Sequence, residues 1–282
     1  MERADLHIHS KFSDGSETVE EVINSVKNAG LKTFSLTDHD TINGIEKIKK
    51  LVPENVNFII GVEFTCETTG CKCHILGYNY DITNKKINAL IEQSKKLRRI
   101  KLETRIKYLT DAWDIHLNQE ELDWLYSRQS VVKTHIANIL VNRNLEKDPV
   151  SAMKKYLEGC EIPKTKLDAG EAIEAIKDAG GISIWAHPLG GEGEDHISEE
   201  EFLVQLEIMK KLGIRGLECY YSRYSMKEIE LLLKHAKANN LLISGGSDYH
   251  GTNKTVKIGA LNCENVDISQ DKITVLKELN IL

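Results

Sequence analysis

The chain has 282 residues and a formal net charge of −6, from 37 Lys and Arg against 43 Asp and Glu, a length that suits one large α/β domain or a domain carrying an insertion. With 41% hydrophobic and 28% charged residues, and no apolar run near the roughly 18 residues needed to span a bilayer, the composition argues against membrane and disordered classes. The acidic balance also argues against duplex DNA as a partner, because backbone binding depends on Lys and Arg releasing counterions from phosphates.

The opening Met-Glu-Arg-Ala-Asp has no basic, apolar leader, and Cys66, Cys71, Cys73, Cys160, Cys219 and Cys263 show no disulfide spacing. A cytoplasmic protein with mostly free thiols is the expectation. In chain order the first strand is Asp5–His9. A helix start at Thr18/Glu21 with a stop at Gly30 follows, then strands Thr33–Thr37, Asn57–Glu63 and Cys73–Tyr78. Later come a helix start at Asp168/Glu171 with a stop at Gly180, the strand Ile182–Ala186, and a start at Ser198/Glu201 with a stop at Gly213. The strand Arg215–Cys219, a start at Ser225/Glu228, and strands Leu242–Gly246 and Val256–Leu261 complete the order. Such alternation argues for parallel strands with crossover helices, in a barrel or a doubly wound sheet.

Residues 84–159 break the rhythm with long helical patterns, so the organisation expected is a barrel from 1–83 and 160–282 with a helical insertion between. The first helix of that insertion carries Lys95, Lys96, Arg98, Arg99, Lys101, Arg105 and Lys107 against Glu103. This excess reads either as a solvated face or as a grip on an anionic substrate.

His7 and His9, two residues apart in an extended run, share one face with Asp5. Ser10, Ser13, Asp14 and Gly15 form a polar turn after them. Thr37-Asp38-His39-Asp40 and Gly61-Val62-Glu63 end the next strands. His74 lies inside an apolar strand, His187 follows Trp185-Ala186, and Asp248-Tyr249-His250 repeats the alternation near the C-terminus. Imidazoles and carboxylates placed repeatedly at C-terminal strand ends are the pattern of an α/β barrel active site. Nine such groups would repel one another and contest protons without cations, which divalent metals supply. Cys71 and Cys73, odd-spaced from His74, read as packing residues, and His116, His196 and His235 as surface residues.

The set Asp5-Leu6-His7-Ile8-His9-Ser10, Ser13-Asp14-Gly15, Thr37-Asp38-His39-Asp40, Gly61-Val62-Glu63, His74-Ile75-Leu76-Gly77, Ala186-His187-Pro188 and Ser247-Asp248-Tyr249-His250 resembles the PHP (polymerase and histidinol phosphatase) superfamily of metal-dependent phosphoesterases. The insertion, with Lys133-Thr134-His135-Ile136-Ala137, looks most like the branch of nucleoside 3′,5′-bisphosphate phosphatases and a related 5′–3′ RNA exonuclease, although that branch usually has Arg in place of Lys133. The resemblance implies a distorted seven-stranded β/α barrel with two or three divalent metals. His7, His9, Glu63 and Asp248 would hold the first; Glu63, His74 and His187 the second; Asp14, His39 and His250 the third. The Asp at position 14 favours Mn²⁺ or Mg²⁺ over Zn²⁺, with Fe²⁺ a further alternative.

The implied mechanism uses a metal-bridging hydroxide, with ions roughly 3.5–4 Å apart lowering its pKa to about 7. Asp5 and Asp40 would be outer-shell groups. Asp14, His39 and His250 would also touch substrate, together with Lys133, Thr134 and His135, and Arg98, Arg99, Lys133 and Arg223 would hold a further phosphate. The leading expectation is release of the 3′-phosphate from nucleoside 3′,5′-bisphosphates, with trimming of short RNA ends. The partner is thus a small phosphorylated nucleotide or short oligonucleotide, with no membrane and no duplex DNA. Alternatives are another small phosphomonoester such as histidinol phosphate, an amidohydrolase, which would want a carboxylated lysine where Glu63 stands, and a catalytically silent metal-binding module.

Overall fold

The computed structural model describes residues 2–69, 71–128, 130–191 and 194–282. Its contacts divide the chain into two compact units, Met1–Leu90 with Leu167–Leu282, and Ile91–Lys166.

The chain opens with β1 (Ala4–Ile8). It continues into α1 (Val19–Asn28), where Thr18 and Glu21 form a reciprocal capping box and Val19, Val22, Ile23 and Val26 make one buried stripe. That stripe packs with Ile8, Phe34 and Leu36. Next are β2 (Thr33–Leu36), α2 (Ile45–Lys49), β3 (Asn57–Thr68) and β4 (Cys71–Tyr78). The helical stretch holds α3 (Lys85–Trp113), α4 (Gln119–Ser127), α5 (Lys133–Asn142) and α6 (Pro149–Leu157). Then come β5 (Leu167–Asp168), α7 (Ala169–Asp178), β6 (Ile182–Trp185), α8 (Glu199–Leu212), β7 (Gly216–Tyr221), α9 (Met226–Ala238), β8 (Leu242–Gly246) and α10 (Val275–Glu278). Asp168 accepts from the Glu171 N–H at the start of α7, and Ser198 and Ser225 close capping boxes on α8 and α9.

Seven strands form one barrel-shaped sheet in the order β1-β2-β3-β4-β6-β7-β8, and β5 pairs separately with β3. The first and last strands meet beyond their ends, where Ile8 bridges Tyr249 and the His9 N–H donates to the Tyr249 carbonyl at 2.9 Å. Gly246 permits the close approach of β8 to β1, since a Cβ there would overlap the His7 side chain and stand 2.6 Å from its backbone nitrogen.

Three details differ from the strand pattern read in the sequence. β4 runs antiparallel to both β3 and β6, because the connection between Thr68 and Cys71 is far too short for a parallel crossover. Val256–Leu261 forms no strand: the buried Asp5 carboxylate accepts from the Gly259 N–H at 2.7 Å, and a turn from Lys257 to Ala260 takes the backbone groups that pairing would have used. The two-residue β5 pairs Cys66 with Leu167 and Glu67 with Asp168, too short a strand to leave a periodic pattern. The division between units falls after Leu90 and Lys166 instead of around 84–159; Ile87 and Leu90, in the first turns of α3, are buried within the barrel unit.

The helical unit has its own core, in which Leu102, Leu109, Leu125, Ile136, Leu140 and Leu157 are among the buried residues.

Candidate metal centre

At the end of β1, strand alternation puts His7 and His9 on one face, with ring centroids 5.1 Å apart. The backbone then turns through residues 10–15, held by Asp38, whose carboxylate accepts from the Ser10 N–H at 2.7 Å and from the Ser13 hydroxyl at 2.6 Å. Gly15 lies so close under this turn that a Cβ would stand 2.6 Å from the His9 carbonyl oxygen, and Asp14 is thereby brought to the histidines. A parallel bridge pairs His39 with Glu63, setting those side chains next to each other past the end of β2.

Glu63 is the centre of the arrangement. Its Oε2 lies 3.1 Å from His7 Nε2, from His9 Nε2 and from His39 Nδ1. Its Oε1 lies 3.0 Å from His74 Nδ1 and 3.2 Å from His187 Nε2. Asp248 Oδ1 stands 3.3 Å from His9 Nε2 and 3.6 Å from His7 Nε2. Asp14 Oδ1 stands 3.2 Å from His250 Nε2 and 3.8 Å from His9 Nδ1, while Asp14 Oδ2 is 3.8 Å from His39 Nε2.

His187 Nε2 and Glu63 Oε1 are hydrogen-bonded at 3.2 Å, but most of the other short separations leave their atoms unsatisfied. His7 Nε2, His9 Nε2, Asp14 Oδ1, His39 Nδ1, Glu63 Oε2, His74 Nδ1 and His250 Nε2 are all buried without a hydrogen-bond partner. Buried polar atoms rarely stay unsatisfied, so a shared partner is called for. Donors about 2.1 Å from one ion and at right angles to each other are about 3.0 Å apart. The donor set therefore fits divalent ions. Four groupings bring ligand atoms within 4.8 Å of one another: His7 with His9, Glu63 and Asp248; His9 with Asp14, His39 and His250; His39 with Glu63 and His74; and His74 with His187 and Glu194. All nine side chains expected at the site come together. His9, His39, Glu63 and His74 each belong to two groupings, so none of them is confined to a single ion by geometry alone.

Several imidazoles have their free nitrogen chosen for them. His7 Nδ1 donates to Glu218 at 2.9 Å, which leaves Nε2 for Glu63 and Asp248. His250 Nδ1 donates to the Asp248 carbonyl at 2.8 Å, leaving Nε2 for Asp14. Glu218 also accepts from the His187 N–H at 2.8 Å, and Glu194 lies 3.2 Å from His187 Nδ1. Tyr221 and Lys254 donate to Asp248 Oδ2 at 3.0 and 2.7 Å. His187 and Asp248 have positive φ, at 27° and 57°, a strained setting that turns both side chains into the cluster just past the ends of β6 and β8.

Burial alone would raise the carboxyl pKa values here, yet Glu63 is held well below the usual range by His7, His39 and His74, and Asp14 by His250 and His39. Burial opposes charge on His9 and His187 as well, but Asp248 and Glu63 hold His9 up at about 9, and Glu194 with Glu63 holds His187 at about 10. His39, for which burial outweighs its carboxylate neighbours, falls to about 3.

Asp5 does not reach the histidine cluster with its carboxylate. It accepts from the N–H groups of His7, Ser247 and Gly259, and so fixes the backbone from which His7 and Asp248 project. Asp40 accepts from the Thr65 N–H at 2.9 Å, tying the His39 turn to the strand that carries Glu63. Arg223 is exposed and lines a separate cavity with Ser222 and Asn262, not the 150 Å³ cleft walled by Asp14, His39, Glu63, His74 and His187. In the helical unit, His135 Nδ1 accepts from the Val132 N–H at 3.1 Å and caps α5, and Thr134 packs on Met153. Burial, and then the nearby Arg105, lower the Lys133 pKa.

Glu218, Glu194, Tyr221 and Lys254 escaped the sequence reading. Glu218 had a signal, a lone carboxylate in the otherwise apolar Gly216–Tyr221 run, because a buried acid needs partners. Nothing in the local sequence marks the other three.

The PHP domain model matches residues 5–179, a stretch that holds His7, His9, Asp14, His39, Glu63 and His74. The chain belongs to the PHP domain family. It is a metal-dependent hydrolase of phosphoesters, as its PHP relatives are. This PHP protein is 29% identical over 277 residues to a 5′-3′ exoribonuclease of Haemophilus influenzae, covering 96% of this chain and 97% of that one. It is 26% identical over 254 residues to a 3′,5′-nucleoside bisphosphate phosphatase of Chromobacterium violaceum, covering 89% and 88%. A Bifidobacterium adolescentis protein assigned as a metal-dependent phosphoesterase superposes with a TM-score of 0.84 at 25% identity, covering 99% of this chain and 96% of that one. Among the described residues no helix is long and apolar enough to cross a membrane.

Proposed function

We propose that the chain removes phosphate from small nucleotides, with the 3′-phosphate of nucleoside 3′,5′-bisphosphates as the preferred group and short RNA ends as further substrates. The observation that carries this reading is Glu63, whose two carboxylate oxygens face different imidazole sets at 3.0–3.2 Å, the disposition of a ligand shared between ions. His7, His9, Glu63 and Asp248 would hold one ion, Glu63, His74 and His187 a second, and Asp14, His39 and His250 a third. Mn²⁺ is the first choice because oxygen ligands join imidazoles at every position. Bound there, divalent ions supply a nucleophilic oxygen at neutral pH and neutralise charge on the phosphoryl group.

The chain's own groups do the rest. Glu218 keeps His7 Nε2 turned inward, and Tyr221 and Lys254 occupy Asp248 Oδ2, so that Oδ1 stays towards His7 and His9. Lys254 also lines the cleft, where its ammonium opposes the negative charge of an entering phosphate. Asp14, His39 and His250 wall the same cleft and are assigned to contact the scissile phosphate. Lys133, with Thr134 and His135 beside it in sequence, and Arg98 and Arg99 are the assignment for the second phosphate. The similarity to a bisphosphate phosphatase and to an exoribonuclease supports nucleotides over other phosphomonoesters.

The test is phosphate release by the Mn²⁺-loaded protein from adenosine 3′,5′-bisphosphate, AMP, histidinol phosphate and a short 5′-phosphorylated RNA. Preference for the bisphosphate with loss of its 3′-phosphate is expected. Preference for histidinol phosphate, or no turnover with metal bound, would overturn the assignment.

A further inference from the structure

Each oxygen of Glu63 faces a histidine whose far nitrogen meets a second carboxylate. On the Oε2 side His7 Nδ1 meets Glu218 Oε1 at 2.9 Å, and on the Oε1 side His187 Nδ1 meets Glu194 Oε2 at 3.2 Å. The two backing acids differ in setting. Glu218 is wholly buried in β7, whereas the Glu194 side chain is 34% exposed. Glu194 stands at the border of two cavities, the 150 Å³ cleft and a neighbouring one of about 580 Å³, which have His74, His187 and Glu194 as common walls.

The backbone after β6 is shaped to bring Glu194 there. The Leu189 N–H donates to the Tyr224 hydroxyl at 2.8 Å, the Gly190 N–H to the His187 carbonyl at 2.8 Å, and the Glu194 N–H to the Gly191 carbonyl at 3.2 Å. Gly190 has φ at 109°, and a Cβ at Gly191 would stand 2.8 Å from His187 Nδ1, so the chain lies against the edge of the imidazole at a spacing that only glycine allows. The Gly191 N–H donates to Glu194 Oε2 at 2.8 Å, the same oxygen that meets His187 Nδ1. A neutral imidazole carries one proton on its two nitrogens. With an ion in place of the proton between Nε2 and Glu63 Oε1, Glu194 is the acceptor that keeps the remaining proton on Nδ1.

We propose that Glu194 is a positioning residue for His187. It holds the imidazole through Nδ1 in the tautomer and orientation that offer Nε2 beside Glu63 and His74, and it thereby sets the affinity of the ion on that side of Glu63 alone. The inference rests on the reading of Glu63 as a ligand shared between ions. The His187 backbone does not depend on Glu194, because its N–H donates to Glu218 Oε2 at 2.8 Å; a change at Glu194 releases the ring and leaves the chain in place. Positioning is also separable from charge here. At Glu218 two donors use two different oxygens, whereas at Glu194 both donors meet one oxygen, so an amide can serve in its place.

The experiment is calorimetric Mn²⁺ titration of the intact chain, with the occupancy of each position read by anomalous diffraction from crystals at limiting Mn²⁺, for the wild type, Glu194→Ala and Glu194→Gln. Glu194→Ala should weaken one binding step by about 10–100-fold and lower the occupancy beside His74 and His187, while the occupancy beside His7 and Asp248 stays as in the wild type. Glu194→Gln should restore that step to within about threefold of the wild type, since its amide oxygen can accept from both donors. Unchanged occupancy in Glu194→Ala, or an equal fall at every position, would overturn the proposal. So would a Glu194→Gln protein no better than Glu194→Ala, because Glu194 would then act by its charge or as a ligand. A wild type that binds no ion at Glu63 would overturn the shared-ligand reading and this inference with it. Selective loss of the one ion in a protein that hydrolyses no nucleotide would support this inference and overturn the proposed function alone.

Discussion

In the barrel unit His7, His9, Glu63 and Asp248 are almost wholly buried, and each has an oppositely chargeable neighbour within 3.6 Å. In the helical unit, Lys133 is half-buried with the Arg105 guanidinium close enough to lower its pKa, and among the described residues neither makes a hydrogen bond or an ion pair. Burial outweighs the one favourable neighbour, Cys160, and with a smaller push from Arg98 brings Arg105 down to about 10. The barrel compensates its buried charge from within, by strand ends that place acid beside imidazole. In the helical unit the acid nearest Lys133, Glu158, raises its pKa by less than burial and Arg105 lower it. Burying charge is tolerable only with compensation, so the first unit calls for cations to complete it and the second for anions.

The sharpest way to break this contrast is at the barrel's centre. His9→Ala should lower turnover by more than about a hundredfold, beyond the range typical of residues one step removed from a metal, with metal content falling and circular dichroism unchanged. Retained activity at normal metal content would end the assignment.

Leu109→Ala, in the core of the helical unit, should cost about 2–5 kcal/mol. If the two units are separately cored, urea titration followed by Trp113 and Trp124 fluorescence shifts while metal uptake by the barrel does not. A loss of metal in step with helical unfolding would instead join them energetically.

Glu218→Gln keeps shape and removes charge. It should reduce metal affinity or kcat/KM by about 10–100-fold, read by metal titration, because the amide has one acceptor oxygen where the carboxylate has two, so His7 Nδ1 and the His187 N–H can no longer both be satisfied. No change in either quantity would show that packing alone orients the ring.

The smallest effects compare like with like. Thr18 caps α1 in the barrel unit and Asn118 caps α4 in the helical unit, each in a reciprocal capping box. Thr18→Ala and Asn118→Ala should each cost about 1 kcal/mol in denaturant unfolding, and a larger difference between them would report how strongly each helix is otherwise held by its unit.

Much of the site was readable before any coordinates, because strand alternation is a geometric rule. His7 and His9 had to share a face, and Asp248 and His250 likewise, whatever the rest of the chain did. Helix starts at Thr18, Asp168, Ser198 and Ser225 were equally legible, since a short polar side chain over free N–H groups is a local interaction. Val256–Leu261 misled for the opposite reason: its composition suits a strand, but the Asp5 carboxylate, 254 residues away in sequence from Gly259, takes the backbone that a strand would pair. β4 reversed the expected parallel order because two intervening residues allow only a hairpin.

The sequence alone determined the class of chemistry, through nine imidazoles and carboxylates at strand ends, and the family that the motif order marks. Tertiary structure decided what each group does. It set Glu63 between two imidazole sets, chose the free nitrogens of His7 and His250, and brought in Glu218, Glu194, Tyr221 and Lys254. Residue type and local period are written in the chain, whereas which atom faces which depends on contacts between residues far apart in it, and hydrogen-bond direction and ligand geometry are properties of those contacts.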